Sequence, residues 1–176
     1  VDGLDSMLQM PSGCFEQTSS TTYPNILIVQ YMTETGQINP ELKLKAEGFI
    51  NAGYQRLLTY EVPGGGYSWF GEAPANKVLT AWGLKEFYDM AKVHEVDPAV
   101  MERTHAWLTS QQESDGRWTP DANYLHAESW GNIQSGDLLV TAYIADALLT
   151  NGKRDGNVDR AVNYIKTNWR KAEDAY

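Results

Sequence analysis

The sequence predicts an all-α fold in which helical hairpins stand side by side in a ring. Three observations carry this reading. Apolar residues recur at helical spacing through most of the 176 residues. The period-two alternation of strands is sparse. A diffuse internal repeat is also visible. Tyr54, Trp107 and Tyr164 lie at spacings of 53 and 57 residues, Thr80-Ala81-Trp82 answers Thr141-Ala142-Tyr143, and Gly66-Tyr67 answers Gly116-Arg117-Trp118. Repeats of about that length, built of two helices and a Gly-aromatic turn, bury their apolar faces only against neighbouring copies. The repeated aromatics are read as turn and core packing, so they specify fold rather than function.

Turn signals place the elements. Pro24 marks the start of one helical run and Gly36 its end. Pro40-Glu41 opens a second run, whose Leu42, Leu44, Ala46, Phe49, Ile50, Gly53, Tyr54, Leu57 and Leu58 are expected to share one buried face. Gly64-Gly65-Gly66 is a helix–helix turn; it lacks the Lys-Ser/Thr ending of a phosphate loop, and no strand precedes it. Further helices are predicted from about Ala75 to Val93, Asp97 to Gln112, Asp137 to Thr150 and Asp155 to Trp169, with a turn-rich stretch from Glu113 to Gly136. Residues 1–176 are long enough for one domain with a real core. Val1 falls inside a predicted element, which points to a piece of a larger protein.

Composition excludes several classes. Fourteen basic against 23 acidic residues leave a net charge of −9. Nucleic acid and anionic membranes both need basic surfaces, so neither is an expected partner. The longest obvious apolar run, Ile26-Leu27-Ile28-Val29, is far short of a membrane span, and no charged, apolar leader opens the chain. A single cysteine rules out an internal disulfide framework, which fits cytoplasm or a bacterial envelope equally. His94 and His105 lack metal-ligand spacing and are read as surface histidines; no metal or other cofactor is expected.

That cysteine, Cys14, lies in Gly13-Cys14-Phe15-Glu16-Gln17. Side chains three residues apart meet on one helical turn, so the Cys14 thiol and the Gln17 carboxamide can condense into an internal thioester with loss of ammonia. Gly13 lets the chain turn tightly into the motif. Spacing alone favours the plainer reading, a buried thiol beside a surface amide.

Further motifs recur in order: Tyr23-Pro24-Asn25-Ile26, then Ala52-Gly53-Tyr54-Gln55-Arg56 with Leu58 and Tyr60, then Ser68-Trp69-Phe70-Gly71-Glu72, then Leu79-Thr80-Ala81-Trp82. Together with the thioester motif they resemble the thioester domain of the alpha-macroglobulin and complement family, over about residues 7 to 150. The resemblance implies an α/α toroid, here a partial ring of about three hairpin pairs whose open faces invite self-association. It also implies a protease-inhibitor or defence module without turnover. The module would acylate a target protease or a surface hydroxyl or amine from Gln17 once other domains of the full-length protein expose the bond. A periplasmic, envelope or extracellular location follows. Phe15 stands where the family has Gly, and its ring is expected to shield the bond or change acceptor choice. Phe15 and the run Thr18-Ser19-Ser20-Thr21-Thr22 point to a bacterial-type member.

His126, 112 residues after Cys14, sits in Tyr124-Leu125-His126-Ala127-Glu128, which resembles the family's His-Gln-Glu segment. The resemblance implies that its imidazole attacks the thioester carbonyl, freeing a Cys14 thiolate that serves as base for a hydroxyl acceptor. Glu128 is expected either to orient that ring or to be a solvated carboxylate. Glu16 is read as an acidic first-turn residue favoured by the helix N-terminus. Tyr124, Trp130 and Phe70 are expected to shield the bond. Three other readings stand beside this one. The first is a toroid enzyme of terpene cyclase or prenyltransferase type, motivated by the segment from Arg103 to Trp118; it resembles a Gln-Trp repeat, although no Asp-x-Asp-Asp acid occurs. The second is a cysteine protease built on Cys14 and His126, for which no protease motif is present. The third is an inert piece in which the bond never forms.

Overall fold

The computed structural model describes residues 3–122 and 124–173; the element expected at Val1 lies outside the described residues. Among the described residues seven α-helices follow one another: α1 (Phe15–Thr35), α2 (Pro40–Leu58), α3 (Lys77–Met90), α4 (Pro98–Ser110), the short α5 (Ala127–Trp130), α6 (Asp137–Leu149) and α7 (Gly156–Glu173). The pairs α1/α2, α3/α4 and α6/α7 pack as three hairpins. α1 also packs on α3, and α3 on α6, so the first helices of the pairs form one layer of an α/α toroid arc. Tyr54, Trp107 and Tyr164 fall on the second helix of each pair.

Helix starts obey capping chemistry. Asn39 accepts from the Leu42 N–H (3.1 Å), Asn76 from the Leu79 N–H (2.9 Å) and Asp97 from the Ala99 N–H (2.9 Å), satisfying donors that have no intrahelical partner. Pro40 and Pro98 occupy first-turn positions, where the missing N–H costs nothing.

α1 departs from expectation. It begins at Phe15, not near Pro24, and Pro24 lies inside it. Proline deletes one internal hydrogen bond, yet packing carries the helix through. Thr18, Ser19, Thr22, Asn25, Ile26 and Val29 are all buried on α1. The buried Asn25 side chain donates to the Thr21 carbonyl (3.0 Å) and the Gln9 carbonyl (2.9 Å), tying the preceding loop to the helix. Small residues let α1 and α2 approach closely: a Cβ at Gly53 would lie 2.0 Å from Thr22 Oγ1. Thr18, Ser19 and Thr22 of the Thr/Ser run are therefore packing residues, while Ser20 is exposed. Gly36 ends α1 with φ of +68° as predicted.

The repeat has a physical core. After each glycine turn an aromatic drops inward, and Tyr67 and Trp118 are fully buried. Its N–H donates to the threonine of the next first-layer helix, Tyr67 to Thr80 Oγ1 (2.8 Å) and Trp118 to Thr141 Oγ1 (2.9 Å). Gly66 (φ +76°) is needed because a Cβ there would strike the Trp107 ring at 2.7 Å. One buried feature is unexpected. Glu86 of α3 is completely enclosed with both carboxylate oxygens lacking a hydrogen-bond partner, as is Ser19 Oγ of α1. Burial is the largest influence and raises its pKa to about 8; the Ser19 hydroxyl lowers it, and Asp89 raises it.

The stretch from Glu113 to Gly136 is turn-rich as expected, with α5 and a 3₁₀ turn at Ile133–Ser135 inside it. Asp121 fixes this stretch to the start of α3, accepting from the Lys77 N–H (2.8 Å) and pairing with Lys77 Nζ (2.8 Å). That anchor brings His126 and Trp130 towards the start of α1.

Candidate functional site

Cys14 is the N-cap of α1, the place that Asn and Asp fill in α2, α3 and α4. It is a free thiol, 4 % exposed, whereas Gln17 is exposed. The Gln17 side chain turns back over the cap, and its Oε1 accepts from the Cys14 N–H at 3.1 Å. The Cys14 side chain faces the Gln17 N–H as the other half of a capping box. Thiol and carboxamide therefore lie together at one helix start. Gly13 makes this possible twice over. Its φ is +80°, and a Cβ there would sit 1.9 Å from Gln17 Oε1.

The Gly13 carbonyl has several partners. Arg56 of α2 donates to it through Nε (3.0 Å) and Nη2 (2.8 Å), and Tyr60 through its hydroxyl (2.5 Å). Thr18 Oγ1 reaches it more distantly, at 3.3 Å. The Phe15 N–H donates to the Trp69 carbonyl (3.0 Å), which fixes the first turn from the other side.

Phe15 does not stand over the motif. Its ring is fully buried, 5.3 Å from the Tyr67 ring and 6.3 Å from that of Tyr60. A Cβ at Gly83 of α3 would lie 2.7 Å from its Cζ. The expected gatekeeper is a core side chain, because the first residue of α1 faces α3.

Glu16 is far more than a first-turn acid. Its Oε2 accepts from Trp69 Nε1 (3.1 Å), Trp130 Nε1 (3.0 Å) and His126 Nδ1 (2.8 Å). Partial burial is the largest single influence and would raise its pKa. The hydrogen bonds from His126, Trp130 and Trp69, with the His126 charge, outweigh it and hold the carboxyl below its ordinary range. An ionised Glu16 only accepts, so Nδ1 of His126 carries the proton and Nε2 is left for other work. The Glu16 hydrogen bond and charge also raise the His126 pKa. His126 has φ of +55°, an uncommon backbone state for a residue with a side chain.

Glu128 does not hold the ring. It is exposed and contributes only the smallest, through-space influence on His126. The orienting hydrogen bond comes instead from Glu16, 2.8 Å from His126 Nδ1. Of the three expected shields, Trp130 is buried against Trp82 (5.3 Å between rings) and bound to Glu16. Phe70 is 66 % exposed, and with Tyr124 it lines a neighbouring cleft of about 430 Å³ that also includes Trp69, Pro74 and Leu125. His94 and His105 are half-buried rather than at the surface: His94 packs edge-on against Tyr54, and His105 Nε2 lies 3.4 Å from Asp155. Sequence reasoning missed Arg56, Tyr60 and Trp69 as parts of this site. A buried Trp N–H always seeks an acceptor, and that was the one available hint.

The chain resembles known proteins along its whole length. The family model described as A-macroglobulin TED domain matches residues 1–176. Ovostatin of Gallus gallus is 32 % identical over 154 residues, covering 86 % of this chain and 10 % of its own length. Thioester-containing protein 1 allele S3 of Anopheles gambiae is 28 % identical over 181 residues, covering 100 % of this chain and 14 % of its own. The chain thus spans between a tenth and a seventh of the length of these relatives. No helix among the described residues is long and apolar enough to cross a membrane.

Proposed function

We propose that this chain, which belongs to the A-macroglobulin TED domain family, captures a target covalently through a Cys14–Gln17 thioester. The observation that carries the reading is the Gln17 carboxamide folded back onto Cys14 at the start of α1. In forming the bond, Cys14 Sγ adds to the Gln17 side-chain carbon. The carboxamide nitrogen leaves as ammonia with the thiol proton. The product is an activated acyl group held on a buried sulfur.

His126 supplies the second stage. Its Nδ1–H is held by Glu16, which leaves the Nε2 lone pair to attack the acyl carbon. The sulfur departs as thiolate, and an acyl-imidazole remains. The thiolate then takes the proton of an incoming hydroxyl as that oxygen attacks, giving an ester at residue 17 and free His126. Amines attack the thioester directly and give an amide. Glu16, Trp130 and Trp69 are the frame that fixes the imidazole, in the way a carboxylate orients a catalytic histidine elsewhere.

A thioester survives only while water is kept away. Gln17 is exposed in this chain, so the cover comes from other domains of a longer protein, and displacement of that cover releases the reaction. One of the relatives is by name a thioester-containing protein. Residues 1–176 would act as one toroid unit in an inhibitor or defence protein of the envelope or extracellular space, acylating an attacking protease or a nearby surface once per molecule. Intact mass tests the chemistry. The protein should be lighter than its sequence by one ammonia, methylamine should add back its own mass, and Cys14→Ala should abolish both. A full sequence mass, with a thiol that alkylates without denaturant, would refute the proposal.

A further inference from the structure

We infer that Arg56 and Tyr60 are positioning residues for acyl transfer, acting through the peptide that links Gly13 to Cys14. The inference rests on the thioester reading above.

The argument starts at one oxygen. A backbone carbonyl commonly has one or two partners, yet the Gly13 oxygen receives both Arg56 Nε and Nη2 and the Tyr60 hydroxyl, at 3.0, 2.8 and 2.5 Å. Tyr60 is buried, and Arg56 reaches across from α2, 43 residues away in sequence. The N–H on the other side of the same planar peptide is that of Cys14, and it donates to Gln17 Oε1 at 3.1 Å. Peptide resonance couples the two sides. Hydrogen bonds that draw charge onto the carbonyl oxygen make the N–H a stronger donor, because bonds in a chain polarise one another.

Gln17 Oε1 is the oxygen on which charge appears. When Cys14 Sγ adds to the side-chain carbon, the electron pair of the C=O bond moves to Oε1. When the C=O bond re-forms, the nitrogen leaves as ammonia with the thiol proton. In the later step an amine adds to the same carbon, the same oxygen takes the charge, and Sγ leaves as thiolate; the proton released by the amine passes to that thiolate. Both steps need a donor aimed at Oε1, and the Cys14 N–H is already there. Cys14 then provides both the sulfur and the donor that stabilises the oxyanion. Arg56 and Tyr60 hold this peptide in its orientation and strengthen that donor. Gly13 permits the close approach, since any Cβ there would occupy the space of Oε1.

Methylamine provides the test, because direct amine attack bypasses His126. Adduct formation on the whole chain is followed by intact mass for wild type, Tyr60→Phe, Arg56→Gln and Arg56→Lys. Tyr60→Phe keeps the ring and loses only the hydroxyl, so it remains informative if the arginine variants fold poorly. Expected rates are about fivefold to tenfold lower for Tyr60→Phe and Arg56→Gln, with partial recovery in Arg56→Lys. The Cys14 amide proton should move upfield in the slowed variants, which a purely structural role would not require. Wild-type rates in Tyr60→Phe, or slowing with an unmoved Cys14 amide resonance, would overturn the inference and leave the thioester itself standing. A wild-type chain that never loses ammonia would overturn both.

Discussion

Replacing Glu86 by glutamine isolates the energetic effect of one buried acid. Glu86 is fully enclosed with no well-formed hydrogen bond, and burial outweighs the lowering influence of the Ser19 hydroxyl, so the folded state holds it neutral up to about pH 8. The unfolded chain releases the proton at the ordinary value of 4.5. Between those two values the folded state binds one more proton than the unfolded state, so stability falls as pH rises. Each pH unit costs about 1.4 kcal/mol. The penalty reaches roughly 3 kcal/mol at pH 7 and roughly 5 kcal/mol near pH 8, a large share of the ~5–15 kcal/mol typical of a whole domain. Glu86→Gln removes the titration and keeps the shape. Any cost of leaving the new amide N–H without a partner does not vary with pH. Urea unfolding of both proteins from pH 5 to pH 8.5 should therefore show a stability difference that grows steadily in favour of the variant. A difference that stays constant across that range would refute the reasoning and mean that Glu86 is solvated or paired.

The other predictions concern the motif and its supports. Gly13→Ala should abolish ammonia loss by intact mass, because its Cβ would fall 1.9 Å from Gln17 Oε1 on a backbone with φ of +80°; a normal mass deficit would contradict the folded-back Gln17. Glu16→Gln should move the pH profile of glycerol capture to lower pH, since the carboxylate keeps His126 protonated above its ordinary range and only the neutral imidazole attacks; an unmoved profile would separate Glu16 from His126. His126→Asn should shift products from glycerol esters towards amides, and an unchanged ratio would remove His126 from the route. Gly53→Ala should destabilise the chain by about 1–3 kcal/mol in urea, because its Cβ would overlap Thr22 between α1 and α2.

Local signals were legible where the chemistry was local. Pro40 and Gly36 marked helix boundaries correctly because a missing N–H or a left-handed turn depends on one residue. Pro24 misled for the same reason: its local cost was outweighed by the buried face of α1, which only tertiary packing reveals. The repeat of Gly-aromatic turns was visible, but its link to Thr80 and Thr141 was not, because those hydrogen bonds join segments 13 and 23 residues apart. In the site, Cys14 and Gln17 were readable from three-residue spacing. The Glu16–His126 bond spans 110 residues, and no spacing rule could choose Glu16 over the adjacent Glu128. Phe15 was misassigned because sequence gives a side chain's size but not its direction.

Gly83 offers only hydrogen to the tip of the Phe15 ring. The tilt of the Cys14 turn is consequently moored to a helix that lies apart from the Cys14–Gln17 pair. A methyl group at that berth would act as a wedge and cant the thiol away from its amide. The Cys14–Gln17 turn thus inherits its tolerance from a position whose sole merit is emptiness.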